Sequence, residues 1–334
     1  MSARIPYSIG DDIFKLHPDQ SLVEWRRLKV LIIGGLGFIG KYVIRILTGT
    51  HELVVFSDPE TAERKRSFAE THQVRIITGS ITDAEKLKDV FDAEAPDAVI
   101  HLAALTGLTK CNESPSLAFS TNVFGTYNVI MGCVASKAKL IFVSSREVYG
   151  ESKESQTAEN APLLPNNVYG VTKMLGEGLI LWTAAKYGLE HTILRLTNVY
   201  GPEGDQYNIQ AMIQTAMSKG VIPIMGGGQR MNFVYVEDVA EVIRRCLTDP
   251  NASHETFNVG SKDDLTVEEV VTQLISMLNM PVRIEKKPMR SGETLSFRPN
   301  LEKIESRLEY TARTTFTDGL RRTIDWYRTR THTP

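Results

Sequence analysis

Three cysteines in 334 residues, Cys111, Cys133 and Cys246, are too few and too scattered for a disulfide frame. Their spacing matches no zinc-ligand pattern either, so they read as reduced thiols and no metal is expected. No apolar run approaches the roughly 18 residues of a membrane span. An excess of one charge is also lacking: 38 Lys and Arg stand against 40 Asp and Glu, for a formal net charge of −2. That balance gives no electrostatic case for nucleic acid or an anionic membrane as partner. The first residues lack the basic, apolar, small-residue order of a secretory signal, so a cytoplasmic protein is expected. Low-complexity tracts and internal repeats are missing. What remains is a chain long enough for two lobes and a sizeable core.

One stretch organises that chain. Val30 to Ile33 is an apolar, β-branched run that reads as a buried strand. Gly34, Gly37 and Gly40 follow at G-x-x-G-x-x-G spacing, and Ile39, Val43, Ile44 and Leu47 then recur at helical spacing. Strand, glycine turn and helix start together present free N–H groups to an anion. The pyrophosphate of a dinucleotide is the natural candidate.

Ahead of this, residues 1–28 form an extension with short helices expected at 11–16 and 21–28. Packing of these on the subunit would cover Ile13, Phe14, Leu22, Val23 and Trp25. Beyond the glycine turn, strands are expected at 53–58, 74–79, 98–104, 139–145 and 191–197, with helices between them. Such alternation implies an α/β fold: a doubly wound parallel sheet with right-handed crossovers. Asp58 ends the second strand. It can bind the ribose hydroxyls of NAD and repel the extra phosphate of NADP, or it can cap a helix. Lys65 and Arg66 read as a solvated helix face. His101 precedes its strand end and reads as core or wall rather than catalyst. Asn122 can hold either backbone or cofactor.

The fourth of these later segments ends in Ser144 and Ser145, followed by Arg146 and Glu147. Polar groups at the C-terminal end of a central parallel strand lie where such sheets place their sites. Tyr169 and Lys173 stand four apart on an expected helix, hence on one face. An ammonium beside a phenol favours the phenolate, and such a phenol can exchange a proton with a sugar hydroxyl. After residue 198 the pattern loosens into a smaller second lobe.

Taken together, these motifs resemble the extended short-chain dehydrogenase/reductase family in its nucleotide-sugar epimerase/dehydratase branch. The likeness rests on the glycine motif, His101 to Ala104, Asn122 to Thr126, Ser144-Ser145 with Val148 to Gly150, and Tyr169 with Lys173. It continues through Asn198 to Pro202, Phe233 to Asp238, Arg290 to Glu293 and Gly319 to Trp326. The resemblance implies a Rossmann-type NAD-binding domain at 29–197 plus about 231–250. A substrate lobe would take 198–230 and 251–330. It implies cofactor contacts from Gly34, Gly37, Phe38, Ile39, Gly40, Asp58, Ser80, Ile81, Leu102, Ala103, Ala104, Asn122, Ser144, Tyr169, Lys173 and Thr197. Substrate contacts would come from Thr106, Ser145, Arg146, Asn198, Arg230 and Arg290. Catalysis would fall to Ser145, Tyr169 and Lys173, with Glu147 as a second acid/base. The substrate would be a nucleotide-diphosphate sugar, oxidised transiently, usually at C4, and the subunit would pair into a homodimer.

Three positions depart from the family pattern. Ser80 replaces an adenine-contacting Asp. Met231 and Asn232 stand where Arg and Asp are common, with Arg230 one residue early and so on the other strand face. Glu147 resembles dehydratases and decarboxylases more than simple 4-epimerases, but Arg146 replaces an acidic neighbour. Epimerase and dehydratase therefore both remain open. So do a decarboxylase, a net reductase and, outside enzymes, a cofactor-binding regulatory subunit.

Overall fold

The computed structural model describes residues 27–151, 155–204, 208–289 and 292–331. The helix expected at 11–16, most of that at 21–28, and Arg290 lie outside the described residues. Thirteen strands are described: β1 (Lys29–Ile33), β2 (Glu52–Ser57), β3 (Arg75–Thr78), β4 (Ala98–His101), β5 (Lys139–Ser145), β6 (His191–Leu196) and β7 (Asn198–Tyr200). They continue as β8 (Val221–Met225), β9 (Arg230–Met231), β10 (Phe233–Tyr235), β11 (Glu255–Val259), β12 (Leu265–Thr266) and β13 (Arg283–Lys287).

Seven strands form the main sheet in the order β11-β6-β5-β4-β1-β2-β3. Every pairing in it is parallel. A parallel sheet is covered on both faces, which is why Val30 to Ile33 can be apolar throughout and fully buried. The period of two splits them: Val30 and Ile32 join one core, Leu31 and Ile33 the other. The helices Phe38–Leu47 and Val236–Thr248 cover the first face. Ala84–Glu94, Gly125–Ser136 and Val168–Tyr187 cover the second. The winding direction reverses between β1 and β4, so a crevice opens beyond their C-terminal ends.

The second lobe has its own core, built by the helices Asn208–Lys219, Val267–Leu278 and Phe316–Thr331 with the parallel pair β8–β13. One boundary moves. Residues 255–259, expected in this lobe, instead close the main sheet beside β6. A five-residue strand carries little periodic signal, and only its partner β6 reveals its place. The helix expected at 119–135 is interrupted by a π turn at Ser120–Phe124.

Gly34 shows why the turn needs glycine. Its φ is +81°, and an added Cβ would lie 2.7 Å from the Ala103 backbone nitrogen. Gly34→Ala is therefore expected to lose about 1–3 kcal/mol of stability from strain and overlap together. Urea unfolding of the variant against wild type checks this; equal stability would contradict it.

Candidate active site

A cavity of about 1430 Å³ runs across the C-terminal ends of the strands and under the second lobe. Typical single-ligand pockets hold roughly 300–1,000 Å³, so this one has room for two ligands side by side. Its cationic lining residues are Lys41, Arg64, Lys65, Lys110, Arg146 and Lys173, against the anionic Asp58, Glu147 and Glu293. That excess suits anionic ligands.

The cofactor half fits a dinucleotide. Gly34, Gly37, Phe38, Ile39 and Gly40 line the cavity, and no side chain caps the helix that starts at Phe38. Its first N–H groups are thus left for an anion. Ser80, Ile81, Leu102, Ala103 and Ala104 continue the wall. Asp58 follows β2, lines the cavity, and caps a helix with its Oδ1, which accepts from Thr61 N at 2.8 Å. Thr197 also lines the cavity, and its buried Oγ1 has no partner among the described residues. Lys65, read from sequence as a solvated position, lines the cavity too, whereas exposed Arg66 pairs with Glu63.

Some expected contacts turn out differently. Asn122 is 1% exposed and does not line the cavity. Its Oδ1 accepts from Leu105 N at 2.7 Å, while its Nδ2 donates to Leu105 O at 2.9 Å and to Thr172 Oγ1 at 3.0 Å. It therefore fixes the loop at Leu105 to the Tyr169 helix instead of reaching a cofactor. Ser144 lines the cavity, but its hydroxyl is committed to Glu177 Oε1. Arg230 faces away, exposed, and pairs with Asp264 at 3.5 Å, while Met231 takes the cavity wall. The reversal follows from strand parity.

Ser145, Tyr169 and Lys173 all line this cavity. Ser145 ends β5, and its Oγ accepts from Glu147 N at 3.2 Å. The helix Val168–Tyr187 starts at Asn167, whose Oδ1 accepts from Gly170 N at 2.9 Å. This places Tyr169 and Lys173 one turn apart. Lys173 is buried, donates to Val143 O at 2.8 Å and holds its ammonium 5.9 Å from the Tyr169 ring centre. Burial pushes its pKa down to about 8, against the opposing pull of Glu177. His101 is buried and neutral, its pKa lowered to about 3 by burial, with Nε2 3.0 Å from Thr126 Oγ1; it belongs to the core and does not line the cavity.

Glu147 and Arg146 differ from expectation. On an extended segment neighbouring side chains diverge, but Arg146–Val148 is a 3-10 turn. The turn brings Arg146 Nη2 to Glu147 Oε1 at 2.8 Å. Asn167 Nδ2 donates to the other oxygen at 2.8 Å. Asn198 and Thr106 line the cavity, with Asn198 Nδ2 donating to Asn232 O at 2.9 Å.

Sequence reading missed Glu177, Arg195 and Tyr149. Arg195 Nη2 meets Glu177 Oε2 at 2.7 Å, and its Nη1 donates to Tyr149 Oη at 2.8 Å, all of it buried. The signal was available: an arginine inside an apolar strand demands a buried partner, and Glu177 stands four after Lys173 on the same face.

With this geometry in place, the comparisons are informative. A family model described as the NAD dependent epimerase/dehydratase family matches residues 30–260. The dTDP-glucose 4,6-dehydratase 1 of Escherichia coli is 29% identical, over 90% of this chain and 92% of its own length. A trifunctional UDP-glucose 4,6-dehydratase, 3,5-epimerase and reductase of Arabidopsis thaliana is 28% identical, and the chain spans 46% of its length and 89% of its own. Among solved structures, the Thermus thermophilus UDP-glucose 4-epimerase complexed with NAD is similar at TM-score 0.83 and 27% identity, covering 90% of this chain and 99% of that one.

The lowered Lys173 pKa makes a pH prediction. Below about pH 8 both folded and unfolded chains carry its proton, and burying the ammonium costs stability. Between about 8 and the ordinary 10.5 only the unfolded chain still binds that proton, so raising pH favours the folded state. The stability of wild type relative to Lys173→Met is expected to rise across this window and to be flat on either side. Urea unfolding at stepped pH checks it, and a pH-independent difference would contradict it.

Proposed function

Because the chain belongs to the NAD-dependent epimerase/dehydratase family, we propose that it binds NAD beside a nucleotide-diphosphate sugar and remodels the sugar through a transient ketone, usually at C4. The reading is supported by Ser145, at the end of β5, and Tyr169 and Lys173, on the helix Val168–Tyr187, lining one cavity. NAD, when bound, accepts the hydride of the oxidised carbon and returns it, so no outside reductant is consumed. Its site is the Gly34–Gly40 turn with Asp58, Ser80, Ile81, Leu102 to Ala104 and Thr197.

The protein's own groups manage the proton. Tyr169 takes it from the sugar hydroxyl, and Ser145 donates a hydrogen bond to the same oxygen. Lys173 presents its positive charge beside the phenolate and stabilises it. Asn198 and Thr106 face the substrate half of the cavity. Arg290 stays a substrate contact, to the phosphates or the sugar, on sequence alone.

After the ketone forms, epimerisation needs only that Tyr169 and the cofactor act on the other face. Dehydration needs a further group to protonate the leaving hydroxyl. A guanidinium is not a general acid, and Arg146 stands where an acidic neighbour would serve. One oxygen of Glu147 accepts from Asn167 and the other is ion-paired with Arg146. We therefore favour epimerisation. Dehydration is the second reading, supported by the closeness of Glu147 to Ser145 and by the similarity to the Escherichia coli dehydratase. A panel of nucleotide sugars read by mass and NMR separates them: unchanged mass with inverted configuration supports epimerisation, and loss of water supports dehydration.

Tyr169→Phe is expected to lower turnover by about 10²–10⁴-fold while nucleotide-sugar binding persists. Wild-type turnover in this variant would remove the assigned base.

The homodimer has support on the surface. Leu117, Phe124 and Tyr127 are exposed on the segment Pro115–Ser136, and Leu181, Trp182 and Tyr187 on the neighbouring helix Val168–Tyr187. These are six large apolar or aromatic side chains on one side of the molecule, more than a monomer ordinarily leaves to water. Light scattering at micromolar concentration is expected to give twice the subunit mass; a monomer mass would contradict it.

A further inference from the structure

We propose that Arg146 is a carboxylate-binding residue in the sugar pocket, so that the preferred substrates are nucleotide-linked uronic acids rather than neutral hexoses. This rests on the nucleotide-sugar reading above and names the sugar class within it.

Arg146 stands between Ser145 and Glu147 on the cavity wall, with a side chain only 7% exposed. A guanidinium withdrawn from water is costly unless its N–H groups find acceptors. Glu147 Oε1 compensates its charge as an ion pair, at 2.8 Å from Nη2. No hydrogen bond from this guanidinium to a described residue accompanies that pair, although it has five N–H groups. Its remaining nitrogens are not sealed off as buried orphans, in keeping with its place in the cavity lining.

An aromatic ring lies beside the group: the Phe297 ring centre is 5.6 Å from Cζ. Glu147 is itself fixed by Asn167 Nδ2 at 2.8 Å. Glu147 thus orients Arg146, and the open edge of a planar fork remains. A carboxylate matches that fork with two parallel hydrogen bonds, which no single sugar hydroxyl can do.

Position selects which carboxylate. Ser145, the adjacent residue, is assigned to the reacting hydroxyl at C4. In a hexopyranose, C6 branches from C5, the neighbour of C4, so an anion at C6 falls beside the reacting oxygen. The nearby charges are Lys173 and Lys110, which favour an anion, and Glu147 and Glu293, which oppose it. A uronic acid also lacks the C6 hydroxyl that a 4,6-dehydration would expel, consistent with the missing acid at position 146.

The test is titration calorimetry on the NAD-loaded protein with two matched pairs: UDP-glucuronate against UDP-glucose, and GDP-mannuronate against GDP-mannose. In the pair whose nucleotide is accepted, the uronate is expected to bind at least about tenfold more tightly to wild type. That ratio is expected to fall to about one in Arg146→Met and to recover in part in Arg146→Lys. Equal or tighter binding of the neutral sugar to wild type overturns the proposal, whether or not a variant folds. So does a ratio unchanged in Arg146→Met. Binding of no member of either pair overturns the nucleotide-sugar reading itself, and this proposal with it.

Discussion

Glu177 and Arg195 face each other where no water reaches. Arg195 Nε donates to both carboxylate oxygens at 3.1 Å, and Nη2 meets Oε2 at 2.7 Å. The pair is tied on both sides: Ser144 Oγ donates to Glu177, and Arg195 Nη1 donates to Tyr149 Oη and to Glu159 O at 2.8 Å each. Tyr149 in turn donates to Asn258 Oδ1 at 2.7 Å. One network therefore joins β5, β6, β11 and the helix Val168–Tyr187. Removing one partner from a buried pair of this kind costs about 3–5 kcal/mol, because the other charge is left uncompensated. The position of Tyr169 depends on this. Glu177 lies one helical turn beyond Lys173, and Lys173 one turn beyond Tyr169. The network and the Lys173–Val143 bond fix the rotation and axial position of that helix against the strand that presents Ser145.

The site is then a matter of which side chains the scaffold turns inward. Cations outnumber anions around the cavity, as two ligands bearing diphosphates require. The second lobe adds a wall of different character, with Met212, Met225, Met231 and Phe233. Flexible thioethers and an aromatic ring suit the flat, apolar face of a nucleobase. Strand parity decides this wall: a one-residue offset sends Arg230 to solvent and Met231 to the cavity.

The main frame was legible because its signals are local. Gly34, Gly37 and Gly40 sit between an apolar strand and a periodic helix, and Tyr169 and Lys173 share a helix face by spacing alone. What escaped depends on contacts distant in sequence or on backbone geometry. The strand at 255–259 has too short a pattern to announce its place beside β6. Asn122 has the same composition whether it holds backbone or cofactor, and only its bonds to Leu105 and Thr172 decide. Arg146 and Glu147 pair because a 3-10 turn replaces an extended segment, which no periodicity reports. The Glu177–Arg195 pair links residues 18 apart, and its sequence trace is only a charge where a buried strand should have none.

The central claim is that oxidation and reduction both take place on one bound substrate with cofactor that is retained. The direct measurement is the near-ultraviolet absorbance of the NAD-loaded protein, followed in stopped flow after mixing with an accepted nucleotide sugar and no other reductant. A signal of reduced cofactor that rises and decays, with product formed and total cofactor conserved, is the predicted result. Product formed only in proportion to added reduced cofactor, with release of the oxidised form, would contradict it.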